Sequence, residues 1–148
     1  MNYFAAAPAA ANALVAFAKT AGAKLDRRLA ELVNLRVSQI NGCAFCLDMH
    51  AHALLDMGVD PRAVATVAGW REARRFFSPA ECAALAWAES VNAIPHRVPS
   101  EQEFAALREH FQESEIAELT LAICAIRSFN ALNASFRTQV PDKPYVGA

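Results

Sequence analysis

Apolar residues recur at intervals of three and four along nearly the whole chain, and no stretch alternates apolar and polar positions like a half-buried strand. The pattern predicts an all-α protein. A first helix opens near Pro8, carries Leu14, Val15 and Phe17 on its apolar side and stops at Gly22, its alanines permitting close packing. A second takes Asp26 as N-cap and spreads Leu29, Leu32, Val33, Leu35, Val37 and Ile40 over a surface broad enough for a central position, ending at Asn41-Gly42. A third runs from about Cys43 to Met57 before Gly58. A shorter fourth, from Asp60-Pro61 toward Gly69, packs on it as a helical hairpin.

Two capping boxes, Ser78-x-x-Glu81 and Ser100-x-x-Glu103, open further helices, separated by a loop from Asn92 to Pro99. The last long helix starts at Ser114 and repeats Ile116, Leu119, Ile123 and Ile126 before Asn130 and Asn133. Between Trp70 and Phe77, Arg71, Arg74 and Arg75 read as a solvated helix end. Pro141, Pro144 and Gly147 break the pattern, so residues 137–148 are expected to form an extended tail behind a single domain whose core spans about 8–136.

Composition adds three constraints. The hydrophobic fraction of 55% and mean hydropathy of +0.16 are high for a monomer of 148 residues, so a homo-oligomer is expected. A formal net charge of −1, with acids and bases interspersed, supplies no field for nucleic acid or an anionic membrane. The apolar stretch from Phe4 to Ala18 lacks a preceding Lys or Arg and is interrupted by Pro8 and Asn12, which fits neither a signal peptide nor a membrane span. The reducing cytoplasm is the expected compartment, where a Cys-x-x-Cys is more often redox-active or metal-binding than structural.

That pair is Cys43 and Cys46, followed by His50. At 100° per residue the three fall within about 60° of one another on a helix, whereas His52 points the other way. Glu31, on the preceding helix, is close enough in sequence to be folded back against this face. A helix N-terminus favours thiolate, which benefits both cysteines and Cys43 most; a base one turn away favours Cys46. A thiolate that attacks a peroxide becomes a sulfenic acid, and a second thiol a turn away condenses with it to a disulfide. Zinc held by Cys43, Cys46, His50 and Glu31 is an alternative, though structural zinc usually recruits a second distant Cys/His pair. Inert buried thiols are another. Cys82 and Cys124 read as small core residues, and His96 and His110 as surface or capping histidines.

Glu31, Arg36-x-Ser38 and Cys43-x-x-Cys46-x-x-x-His50 together resemble the signature of the alkylhydroperoxidase D-like (AhpD-like) proteins of the carboxymuconolactone decarboxylase superfamily. The segment Leu119-Thr120-Leu121-Ala122-Ile123 leading to Asn130 is similar to the same domain. The resemblance implies an all-α, single-domain AhpD-like fold with the Cys-x-x-Cys at the start of a central helix of a hairpin, assembled as trimers or hexamers. It also implies a cofactor-free peroxidase for organic hydroperoxides: Cys46 attacks, Cys43 resolves, and Glu31 and His50 relay protons. An external dithiol donor, in the family sometimes a lipoyl-bearing adaptor protein, would reduce the disulfide. This sequence departs from the peroxidase branch at Phe45, where a second histidine is usual, and at Ser128-Phe129-Asn130-Ala131-Leu132, where relatives often carry Asn-x-Trp-Asn-Arg. The rival readings are a decarboxylase or lactone-processing enzyme with incidental cysteines, and a non-catalytic redox-sensing module.

Overall fold

In the computed structural model, which describes residues 1–144, eight α-helices and two short 3-10 turns follow one another, and the described residues contain no strand. The helices are α1 (Tyr3–Ala6), α2 (Pro8–Thr20), α3 (Arg27–Asn41), α4 (Ala44–Asp56), α5 (Pro61–Thr66), α6 (Pro79–Asn92), α7 (Glu101–Arg108) and α8 (Glu113–Ser135). The fold is all-α, as the periodicity predicts.

Local chemistry sets the boundaries. Asp26 accepts the backbone N–H of Leu29 to open α3, and Gly42, at φ 66°, closes it in the left-handed region that a side chain disfavours. Cys43 follows at once as the N-cap of α4, its sulfur accepting the N–H of Cys46 at 3.3 Å. The α3–α4 corner therefore places both cysteines in the first turn of a helix. Ser78 and Ser100 form the expected capping boxes of α6 and α7.

α3 is the central element and packs against α4, α6 and α8. Leu29, Val33 and Val37, four residues apart, feed one core cluster shared with α6, α7, α8 and both cysteines. Leu32 and Leu35 feed a second, shared with Leu54, Val67, Trp70 and Leu85. Ile40, expected on this apolar surface, is 44% exposed although its angular position falls between Leu29 and Val33; it lies in the last turn of α3.

Other expectations need correction. α8 starts at Glu113, one residue before Ser114, where Glu115 accepts the backbone N–H of Gln112 at 2.7 Å. Its buried stripe runs Ile116, Leu119, Ile123, Ile126, Asn130 and Asn133. Cys124 lies off that stripe and is exposed in the single chain, not part of the core; Cys82 is half-buried. Phe17 is exposed as well, so α2 buries little beyond Ala11. Residues 139–144 are exposed and carry no helix or strand; Gly147 of the expected tail lies outside the described residues.

The arginine-rich stretch is more than a solvated helix end. Trp70 is buried, and its indole N–H donates to Glu89 at 3.0 Å while Arg71 and Arg36 each pair with the same carboxylate at 2.7 Å. Burial by itself would raise the Glu89 carboxyl, but donation from Arg36, Arg71 and Trp70 outweighs it and holds the carboxyl below its ordinary range. This carboxylate fastens α6 to α3 and to the turn after α5.

Candidate functional site

Cys43 and Cys46 are joined by a disulfide, their Cα atoms 5.4 Å apart, and both are almost fully buried. With the two sulfurs bonded to each other, they are not a zinc ligand pair in this form. One turn on, His50 is buried, and its Nδ1 lies 2.6 Å from Glu31 Oε2 across the α3–α4 pair. With Nδ1 committed to Glu31, Nε2 is the ring position left for another partner. Nε2 is buried and has no hydrogen-bond partner among the described residues. The Glu31 side chain is 20% exposed, mostly buried but not wholly enclosed.

The four residues singled out in the sequence are thus brought together: Glu31 to His50 by a hydrogen bond, Cys43 to Cys46 by a covalent one, and His50 to Cys46 by helix periodicity. His52 points elsewhere, bonding the backbone oxygen of Asp48 at 2.8 Å.

A cavity of about 430 Å³ opens onto this group. It is lined by Glu31, Cys46 and His50, with Met49, Ile126 and Phe129 among its apolar walls. Cys43 does not line it. The volume lies within the range of about 300–1,000 Å³ typical of pockets that enclose a small molecule.

Three contributors went unnoticed in the sequence. Asn133 on α8 is buried and directs Nδ2 at the Cys46 sulfur at 3.4 Å, while its Oδ1 accepts from the Tyr3 hydroxyl at 3.3 Å. Tyr3 and Phe4, on a short helix before the expected core, also line the cavity. The one local signal was Asn2, which caps α1 by accepting the N–H of Ala5. Burial raises the Tyr3 phenol above its ordinary range, so the hydroxyl stays a donor at neutral pH. One turn before Asn133, Asn130 donates to Ser38 at 3.0 Å and accepts from Asn41 at 3.0 Å, which seats α8 against α3 and fixes Asn133 over the sulfur.

A helical hairpin with a Cys-x-x-Cys at the α4 start, backed by a Glu–His pair, defines a class of all-α thiol-bearing domains, and comparison with known proteins identifies which. The model of the carboxymuconolactone decarboxylase family matches residues 6–90, and the chain belongs to that family, within its AhpD-like group. It is 32% identical over 144 residues to the uncharacterised protein YdfG of Bacillus subtilis (strain 168), covering 97% of each chain. Among solved structures it is similar to ATU0492 of Agrobacterium tumefaciens, a protein of unknown function ascribed to AhpD antioxidant defence, with 35% identity, a TM-score of 0.92 and coverage of 97% and 98%. The debrominase Bmp8, as a C82A variant in complex with 2,3,4-tribromopyrrole, shares the fold at 22% identity and a TM-score of 0.83, with 95% of this chain and 75% of that one covered.

Proposed function

We propose that the protein is a thiol-dependent peroxidase for organic hydroperoxides, cycling through a Cys43–Cys46 disulfide. One observation carries the reading: the disulfide, the Glu31–His50 pair and a largely apolar cavity converge at Cys46. The likeness to an AhpD-ascribed protein at 35% identity supports it.

In the reduced protein, Glu31 holds His50 by Nδ1–H, and Nε2 takes the Cys46 thiol proton. Asn133 donates to the resulting thiolate, and the α4 N-terminus adds partial positive charge. The thiolate attacks the terminal peroxide oxygen; the O–O bond breaks, the alkoxide leaves and takes the proton from His50, and Cys46 becomes a sulfenic acid. The Cys43 thiolate attacks the Cys46 sulfur, the S–O bond breaks, and hydroxide leaves as water after protonation. One hydroperoxide is reduced to an alcohol and water as two thiols become a disulfide. A dithiol donor then returns two electrons. The resemblance to AhpD-like proteins implies Cys46 as the attacking thiol, and its place in the cavity wall supports the base-proximity argument over the dipole argument.

The test mixes fully reduced protein with one equivalent of an organic hydroperoxide and follows disulfide formation by acid quench and peptide mass analysis. Formation should be much faster than oxidation of free cysteine and absent in Cys46→Ser. A rate equal to that of free cysteine overturns the peroxidase reading, as does full activity in Cys46→Ser, the result expected of a decarboxylase.

A further inference from the structure

A second opening reaches the disulfide. It is a cleft of about 170 Å³ lined by Gly42, Cys43, Ala44, Ala134, Arg137 and Thr138, together with Phe45 and Asn133. Cys43 lines this cleft and not the large cavity; Cys46 lines the large cavity and not this cleft. Phe45 and Asn133 line both and stand between them.

We infer that the cleft is the entry site for the reducing thiol, which attacks the sulfur of Cys43 and leaves Cys46 as thiolate on the hydroperoxide side. This rests on the reading of Cys43–Cys46 as a redox-cycling disulfide. The two volumes assign the two roles. Pockets that enclose whole small molecules begin at about 300 Å³, so the larger cavity holds a substrate while the cleft admits only the tip of a flexible arm, such as the end of an alkyl dithiol.

Electrostatics favour an anionic nucleophile here. Cys43 caps α4 and Ala44 opens it, and the N-terminus of that helix carries partial positive charge from the macrodipole. The opposite wall is the C-terminus of α8, whose carbonyls would repel a thiolate. They are instead satisfied internally: Leu132, Ala134 and Asn133 accept the N–H groups of Phe136, Arg137 and Thr138 at 3.0, 3.3 and 2.9 Å. That closure uses a positive φ of 53° at Arg137, a position where glycine is usual. The chain has an exposed arginine among the cleft's lining residues instead.

The leaving group points the same way. In thiol–disulfide exchange the better-stabilised thiolate leaves faster, and the Cys46 sulfur has the Asn133 donor and His50 one turn away. The incoming thiolate bonds to the Cys43 sulfur as the Cys43–Cys46 bond breaks with its electron pair on Cys46. The arm's second thiol, losing its proton, then attacks the arm sulfur, releasing Cys43 as thiolate and the arm as its own disulfide. Two electrons pass from the dithiol to the protein, and the two protons of the dithiol balance the two new thiols.

A small monothiol, N-acetylcysteamine, serves as the first probe because it cannot cyclise away from the mixed disulfide. The oxidised protein is mixed with it in the presence of a maleimide, quenched with acid and digested. Arg36 and Arg62 bound one tryptic peptide carrying both cysteines, so fragmentation within it locates each adduct. Probe on Cys43 and maleimide on Cys46 is the expected pattern; the reverse pattern, or an even mixture, overturns the inference. A second measurement decides if no adduct accumulates. Ala134→Phe fills the cleft from an exposed position and should lower the rate of reduction by dihydrolipoamide about tenfold relative to the rate of oxidation by hydroperoxide on the same protein. An unchanged ratio overturns it. If hydroperoxide fails to oxidise the reduced protein while thiol still enters at Cys43, the peroxidase reading falls and the entry site stands.

Discussion

Asn133 donates to a sulfur, and an N–H donor stabilises the anionic form of that sulfur more than the neutral one. A hydrogen bond to a charged group contributes about 1.5–3 kcal/mol, so its loss is worth from roughly tenfold to roughly a hundredfold in the fraction of Cys46 present as thiolate, the lower end applying to a weak sulfur acceptor. Asn133→Leu, which keeps the volume and removes the donor, should slow oxidation of the reduced protein by hydroperoxide about tenfold at pH 7. It should also move the alkylation profile of Cys46 toward higher pH. A slower reaction with an unmoved profile would reduce Asn133 to a wall of the cavity. In the sequence this residue is only one apolar-helix asparagine among several. The sulfur it serves is 87 positions away, and a contact that distant leaves no local signature. The Cys-x-x-Cys and His50 were legible because one helix turn places them, and Glu31 because it sits on the adjoining arm of the same hairpin.

At the level of elements, two residues of the sequence signature gain physical explanations that are not catalytic. Arg36 fastens α3 to α6 through Glu89, and Ser38 fastens α3 to α8 through Asn130. The helices were legible because their caps and apolar stripes lie within a few residues of one another. The way they are fastened was not, since each link joins residues more than 50 positions apart. Glu89→Gln removes the charge that Arg36, Arg71 and Trp70 share while leaving the shape, and should cost about 2–3 kcal/mol at pH 7. The sign with pH follows from the depressed carboxyl. A carboxylate whose folded value lies below its unfolded value, about 4.3, contributes stability above that value and loses it as pH falls through the folded one. The stability gap between wild type and Glu89→Gln, measured by urea unfolding, should therefore be constant from pH 6 to 8 and narrow below about pH 4. A gap that stays constant into acid would show that the carboxylate's charge contributes nothing. Because Glu89 does not line the cavity, the oxidation of Cys46 should lose little at temperatures where the variant remains folded.

For the whole molecule, the distribution of apolar surface matters more than its amount. Phe4, Phe17, Ile40, Leu55 and Leu121 are large apolar side chains exposed on the single chain, on five different helices. Single exposed residues of this kind are ordinary, but on α8 Leu121 is followed one turn later by the exposed thiol of Cys124, opposite the stripe that packs on α3. A 23-residue helix with apolar residues on both faces fits burial between subunits. The protein should therefore sediment and scatter light as a homo-oligomer, three or six times the 16.0 kDa chain. Leu121→Arg, which puts a charge on that outer stripe and touches neither the cavity nor the cleft, should shift the species toward monomer. Maleimide labelling of Cys124 should accelerate with dissociation, because the same contact that hides Leu121 would cover the thiol one turn away. A wild-type mass of one chain, with Cys124 reacting as fast as a free thiol, would mean that α8 presents both residues to water and that the high apolar content serves the cavity walls and the two cores alone.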